Sequence, residues 1–176
     1  MISPLFRRAS RSGDTISVLY GAIVAQARSP AFYRDYCVAD TVDGRFELIL
    51  VHLALVLRRV AREEALRPLG QEIFDLFCAD MDRNLREMGI SDLKVPKEME
   101  RIGTAFYGRK AAYDAALDAS GDAGLLEALC RNVYASPNQP APGAPRLAAY
   151  MREAERTLER QDTQALLRGE LRFPSP

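Results

Sequence analysis

Apolar residues recur at three- and four-residue steps through most of the chain, and nowhere do they alternate with polar ones over a strand's length. The spacing predicts helices over 14–28, 30–36, 44–63, 69–88, 96–119, 122–134 and 145–168, about twice the usual helical share. The 44–63 segment is apolar nearly all round. Phe46, Ile49, Leu50, Leu53, Val56, Leu57 and Val60 form one stripe, while Leu48, Val51 and Leu55 fill the other side. A helix of that kind is central, with neighbours on several faces. Ile73, Phe74, Phe77, Met81, Leu85 and Met88 repeat the stripe in the next helix, and Met99, Ile102, Phe106, Tyr113 and Leu117 in the one after. The last helix carries a thinner stripe of Leu147, Met151, Ala154 and Leu158.

The ends of these segments carry capping chemistry. Asp14, Asp43 and Asp122 are candidate N-caps, Pro30 and Pro96 suit first helical turns, and Gly89 follows Met88 where a helix must turn left-handed. The fold expected is all-α, a single-domain multi-helix bundle of about seven helices with no sheet. Residues 1–13 read as a flexible basic N-terminus and 14–135 as the helical core. Residues 136–145, SPNQPAPGAP, hold four prolines and read as an extended connector. Residues 146–176 form a C-terminal helix and tail that dock on the bundle or contact a partner.

Composition narrows the function. Twenty-four basic residues balance 24 acidic ones, so bulk electrostatics gives no nucleic-acid binder. No apolar run reaches eighteen residues, so no spanning helix is expected. The N-terminus sets Ile2, Leu5 and Phe6 among Arg7, Arg8 and Arg11; a contact with a membrane surface and a disordered start are both open there. Cys37, Cys78 and Cys130 are odd in number and widely spaced, which predicts a reducing compartment rather than a disulfide framework. His52, the one histidine, lies inside an apolar helix with Ile49 where an E-x-x-H metal motif needs a glutamate. It reads as a satisfied core histidine, and neither a catalytic base, a metal ligand nor a cofactor is expected. Phosphate-cradling glycine motifs are also missing from the text.

Two regions invite a partner. Around the 89–96 connector, Asp80, Arg83, Arg86, Glu87, Lys94 and Lys97 mix both signs of charge. Asp80–Arg83, Asp82–Arg86 and Arg83–Glu87 stand at self-pairing helical spacings. Of the 24 basic residues only Lys94, Lys97 and Lys110 are lysine, and all three fall near this connector. In the helix that follows, Arg109 and Lys110 interrupt the stripe running from Phe106 to Tyr113, and Gly103 and Gly108 leave room for a close approach or a kink. Either Phe106, Tyr107 and Arg109 border a groove for a partner, or Arg109 pairs internally with an acid of the preceding helix.

The text at these residues resembles the ubiquinol–cytochrome c chaperone family, the assembly factors of the cytochrome bc1 complex. The matching stretches are LYGAIVAQAR (19–28), PAFYRDYCVADT (30–41), GRFELILVHLALVLRR (44–59), QEIFDLFCADMDRNLREMGISDLKVPKEMERIGTAFYGRKAAYDAAL (71–117) and LCRNVY (129–134). Cys37 stands where glycine is more usual in the family. The resemblance implies a chaperone rather than an enzyme, one that binds newly made cytochrome b, with a small co-chaperone or a ribosome contact in some members. A bacterial member would work in the cytoplasm, peripheral at the inner membrane, and a eukaryotic one on the matrix side of the mitochondrion. On this reading Asp80, Arg83, Arg86, Glu87, Lys94, Lys97, Phe106, Tyr107, Arg109, Lys110 and Tyr113 are the expected client-binding residues, with 80–97 and 106–113 side by side. Two rivals stand against it. A helical lipid or isoprenoid enzyme would need facing D-D-x-x-D motifs, which the chain lacks. A structural accessory subunit would stay in the finished complex.

Overall fold

Residues 4–176 are described by a computed structural model, with side chains from Gly13 onward. Eight α-helices follow one another: α1 (Pro4–Ala27), α2 (Pro30–Arg34), α3 (Val42–Ala61), α4 (Arg67–Glu87), α5 (Val95–Asp118), α6 (Ala123–Asn132), α7 (Ala144–Glu159) and α8 (Thr163–Leu167). A 3₁₀ turn at Glu64–Leu66 leads into α4. No strand occurs among the described residues.

The apolar α3 is the axis of the bundle, packed against α1, α4, α5 and α7. From Glu47 to Val60 every one of its residues is buried. Four of them are polar or charged, and each has partners, as burial of such groups demands. Glu47 meets Arg109 of α5 in a two-pronged ion pair of 2.5 and 2.7 Å. Arg58 reaches Glu155 at 2.7 Å and also binds Asp118 and Asp114, fastening α3 to α7 and α5. Arg59 donates to the carbonyls of Leu158 (3.0 Å) and Gln161 (3.2 Å) at the end of α7.

His52 is the core histidine the pattern predicts. Its Nδ1 lies 2.7 Å from the Leu48 carbonyl, which can only accept, so the proton sits on Nδ1. Its Nε2 then accepts from the Tyr150 hydroxyl at 2.9 Å, and that oxygen accepts from Gln26 at 2.9 Å. Phe32, Tyr150 and Phe173 surround the imidazole. Gln26 also donates to the Pro174 carbonyl at 3.0 Å, so the bonds link α1, α3, α7 and the C-terminal tail. Full burial pushes the imidazole pKa down to about 4.

Several ends differ from expectation. α1 starts at Pro4, so Asp14 lies inside the helix rather than at its cap. The side chains of Ile2, Leu5, Phe6, Arg7, Arg8 and Arg11, on which a membrane contact was argued, fall outside the described ones. Thr41, not Asp43, caps α3, accepting from the Gly44 amide at 3.1 Å. Asp122 precedes α6 without capping it, because its carboxylate receives Arg152 at 2.5 Å. The expected helix over 145–168 is two. Asp162 adopts an extended conformation and accepts from the Ala165 amide, so a new helix begins where the pattern continued the old one. Arg59 takes up carbonyls freed at the break.

Other ends match. Past α4, Gly89 has φ +83°, the Gly89 amide bonds the Arg86 carbonyl and the Ile90 amide the Leu85 carbonyl, a Schellman close. The proline connector packs back on the bundle, where a Cβ at Gly143 would run into the Tyr36 carbonyl. Cys37 holds φ +56°, in the left-handed region that a side chain disfavours. Leu147, Met151, Ala154 and Leu158 are all buried, so α7 docks on the bundle.

Candidate functional site

The expected client surface does not form as one face. Phe106 and Tyr113 are each 1% exposed, in the core with Leu117 of the same stripe. Phe106 stacks on Phe74 and Phe77, with centroids 5.1 and 6.0 Å away. Arg109 turns inward to Glu47, so the internal pair is the reading that holds, although the acid comes from α3 and not from the preceding helix. Burial raises the Glu47 carboxyl above its usual range, and the Arg109 guanidinium pulls it part of the way back. Lys110 is bonded to Asp114 one turn on, at 2.5 Å. Gly103 and Gly108 approach no backbone: a Cβ at either would meet nothing within 4 Å, and α5 runs unbroken past both.

Tyr107 alone of this group is open, 60% exposed and laid against Phe74 and Phe106. With Arg67, Gly70, Gln71 and Lys110 it borders a shallow depression of about 250 Å³ beside the start of α4. Residues 80–97 lie elsewhere, because α5 returns along α4. Ile102 sits with Leu85 and Met88, and Lys110 with Arg67, which places them about 12 Å apart along α5.

At the 80–97 end the charges are largely spent on one another. Asp80 receives the Tyr20 hydroxyl at 2.9 Å and pairs with Arg83, so it ties α1 to α4. Arg86 bonds Asp82 at 2.6 Å and also Asp92. The basic patch expected there is therefore neutralised in large part. Lys94 and Lys97 remain exposed at the start of α5. The expected Arg83–Glu87 pair is replaced by Arg83–Asp80, which leaves Glu87 facing outward.

Beside Glu87 opens a groove of about 480 Å³ that the sequence pattern did not single out. Its floor is Phe46 and Ile49 of α3, Met81 and Leu85 of α4, and Ile102 of α5. Two apolar residues stand proud of its edge: Val42, 73% exposed, and Met88, 61% exposed. Around the rim lie Arg28, Asp43, Arg45, Asn84 and Glu87. Arg45 is committed to Asp40 at 2.7 Å, whereas Asp43, Glu87 and Arg28 have no ion-pair partner among the described residues. Exposed apolar edges beside a partly polar rim are the composition of a protein-binding surface. The signal in the text was positional. Val42 opens α3 and Met88 directly follows α4, apolar residues at helix ends where one flank has no neighbour to cover it.

Among the described residues no group of His, Cys, Asp or Glu side chains is arranged to hold a metal ion. Nor is any helix there long and apolar enough to cross a membrane.

The family model for "Ubiquinol-cytochrome C chaperone" matches residues 34–173. No curated protein sequence matches. Among solved structures, the crystal structure of the Cbp3 homolog from Brucella abortus is similar over 99% of this chain and 97% of that one, at 40% identity and a TM-score of 0.88. A match of that extent, over most of the helical bundle just described, places the chain in the ubiquinol–cytochrome c chaperone family.

Proposed function

We propose that the protein is an assembly chaperone of the cytochrome bc1 complex that holds newly made cytochrome b, and that it acts without catalysing a reaction. What carries the reading is the family membership together with the 40% identity to a Cbp3 homolog along essentially the whole chain. The surface suits the task. A chaperone for an unfinished membrane protein needs apolar area left open on an otherwise balanced exterior, and the Val42–Met88 groove supplies it. The client would be met at the membrane face where it emerges, with this protein bound peripherally. Of the residues first expected to bind it, Arg83, Arg86, Glu87, Lys94, Lys97 and Tyr107 are exposed and stay in the proposal. Phe106, Arg109 and Tyr113 support the fold instead.

The test is stoichiometry. The protein should be recovered with cytochrome b that has not yet joined its partner subunits, and should be absent from purified, active bc1 complex. Recovery in equal amount with the finished complex would make it a structural subunit.

A further inference from the structure

We infer that the groove between α3, α4 and α5 recognises the end of an apolar helix flanked by lysine or arginine. This rests on the chaperone reading and deepens it, by assigning the site and the chemistry of the segment it takes. The floor of Phe46, Ile49, Met81, Leu85 and Ile102 offers apolar contact, and the two methionines can re-pack around different side chains. From Met81 to Met88 the α4 wall spans two helical turns, about 10 Å. The groove therefore grips the end of a membrane-spanning segment rather than its full length.

Charge selects which end. The rim's uncommitted groups are two carboxylates, Asp43 and Glu87, against one guanidinium, Arg28; Arg45 is neutralised by Asp40. Asp43 and Glu87 are both exposed, and they belong to the two helices that wall the groove. Membrane helices carry their excess of Lys and Arg on the side where the chain is made. A segment that lays its apolar end on the groove floor brings those cations to Asp43 and Glu87. The same carboxylates disfavour an apolar helix ending in acids.

The experiment uses the full chain and two fluorescent synthetic peptides in mild detergent. Each has about twenty leucine and alanine residues, one ending in three lysines and the other in three glutamates. Wild-type protein should bind the lysine-ended peptide at least roughly fivefold more tightly, the scale of two exposed ion pairs. The double variant Asp43→Asn with Glu87→Gln should lose that preference while still binding. Met88→Ser, at a position too exposed to disturb the fold, removes apolar contact without changing the rim charge and should weaken both peptides. Equal binding of the two peptides by wild type, or an intact preference in the double variant, overturns the inference. Capture of cytochrome b in cells separates the two levels. If wild type and Met88→Ser capture it equally, the groove assignment fails and the chaperone reading stands. If wild type captures none, the chaperone reading fails.

Discussion

Acidification should unfasten the core through His52. The imidazole is buried, neutral and bonded on both sides, and its folded pKa is about 4 against an ordinary value of 6.5. Between those values the unfolded chain binds a proton that the folded one does not. Stability therefore rises with pH across this window: the His52 contribution is complete above pH 6.5 and is lost progressively down to pH 4. Two pH units, from 6.5 to 4.5, correspond to about 3 kcal/mol at about 1.4 kcal/mol per unit. Carboxylates change charge in the same range, so the comparison must cancel them. Urea unfolding of wild type and His52→Gln at pH 7 and pH 4.5 does so. The variant starts less stable, and the gap between the two should shrink by about 3 kcal/mol at the lower pH. Because the chain has one histidine, a proton NMR titration reads the same group directly. An imidazole that titrates between pH 6 and 7 in the folded protein would refute the buried, neutral assignment.

Arg109→Glu sets a carboxylate against buried Glu47 and should cost about 3–5 kcal/mol, whereas Lys97→Glu, on the exposed start of α5, should leave the melting temperature unchanged. Thermal melts of the two variants check this. Cys37→Gly relieves a side chain held at φ +56° and should gain about 1 kcal/mol, roughly 2–4 °C in Tm. Gly103→Ala and Gly108→Ala should each stabilise α5 by about 1 kcal/mol in denaturant unfolding, since a Cβ at either meets open space.

The helical bundle was legible in the text because its signals are local. The stripe of α3, the Gly89 close and the proline starts all lie within a few residues of the structure they produce. The Asp162 break was also local, but the apolar register of Leu158 and Leu166 runs through it and masks it. The site was less legible, for two physical reasons. A charged residue in a core-facing register signals either an interface or a buried ion pair, and only the fold shows that Arg109 meets Glu47, 62 positions away. A stripe also does not reveal where its cover ends. Phe106 and Tyr113 share a register with Ile102, yet the first two are sealed and Ile102 lines an open groove.

The most direct measurement is pulse-labelling of growing cells followed by crosslinking and recovery of the protein. Label should pass through cytochrome b bound to it within the first minutes and leave it as finished bc1 complex accumulates. If newly made cytochrome b never crosslinks to the protein, while bc1 complex still assembles at its normal rate without it, the chaperone account is wrong.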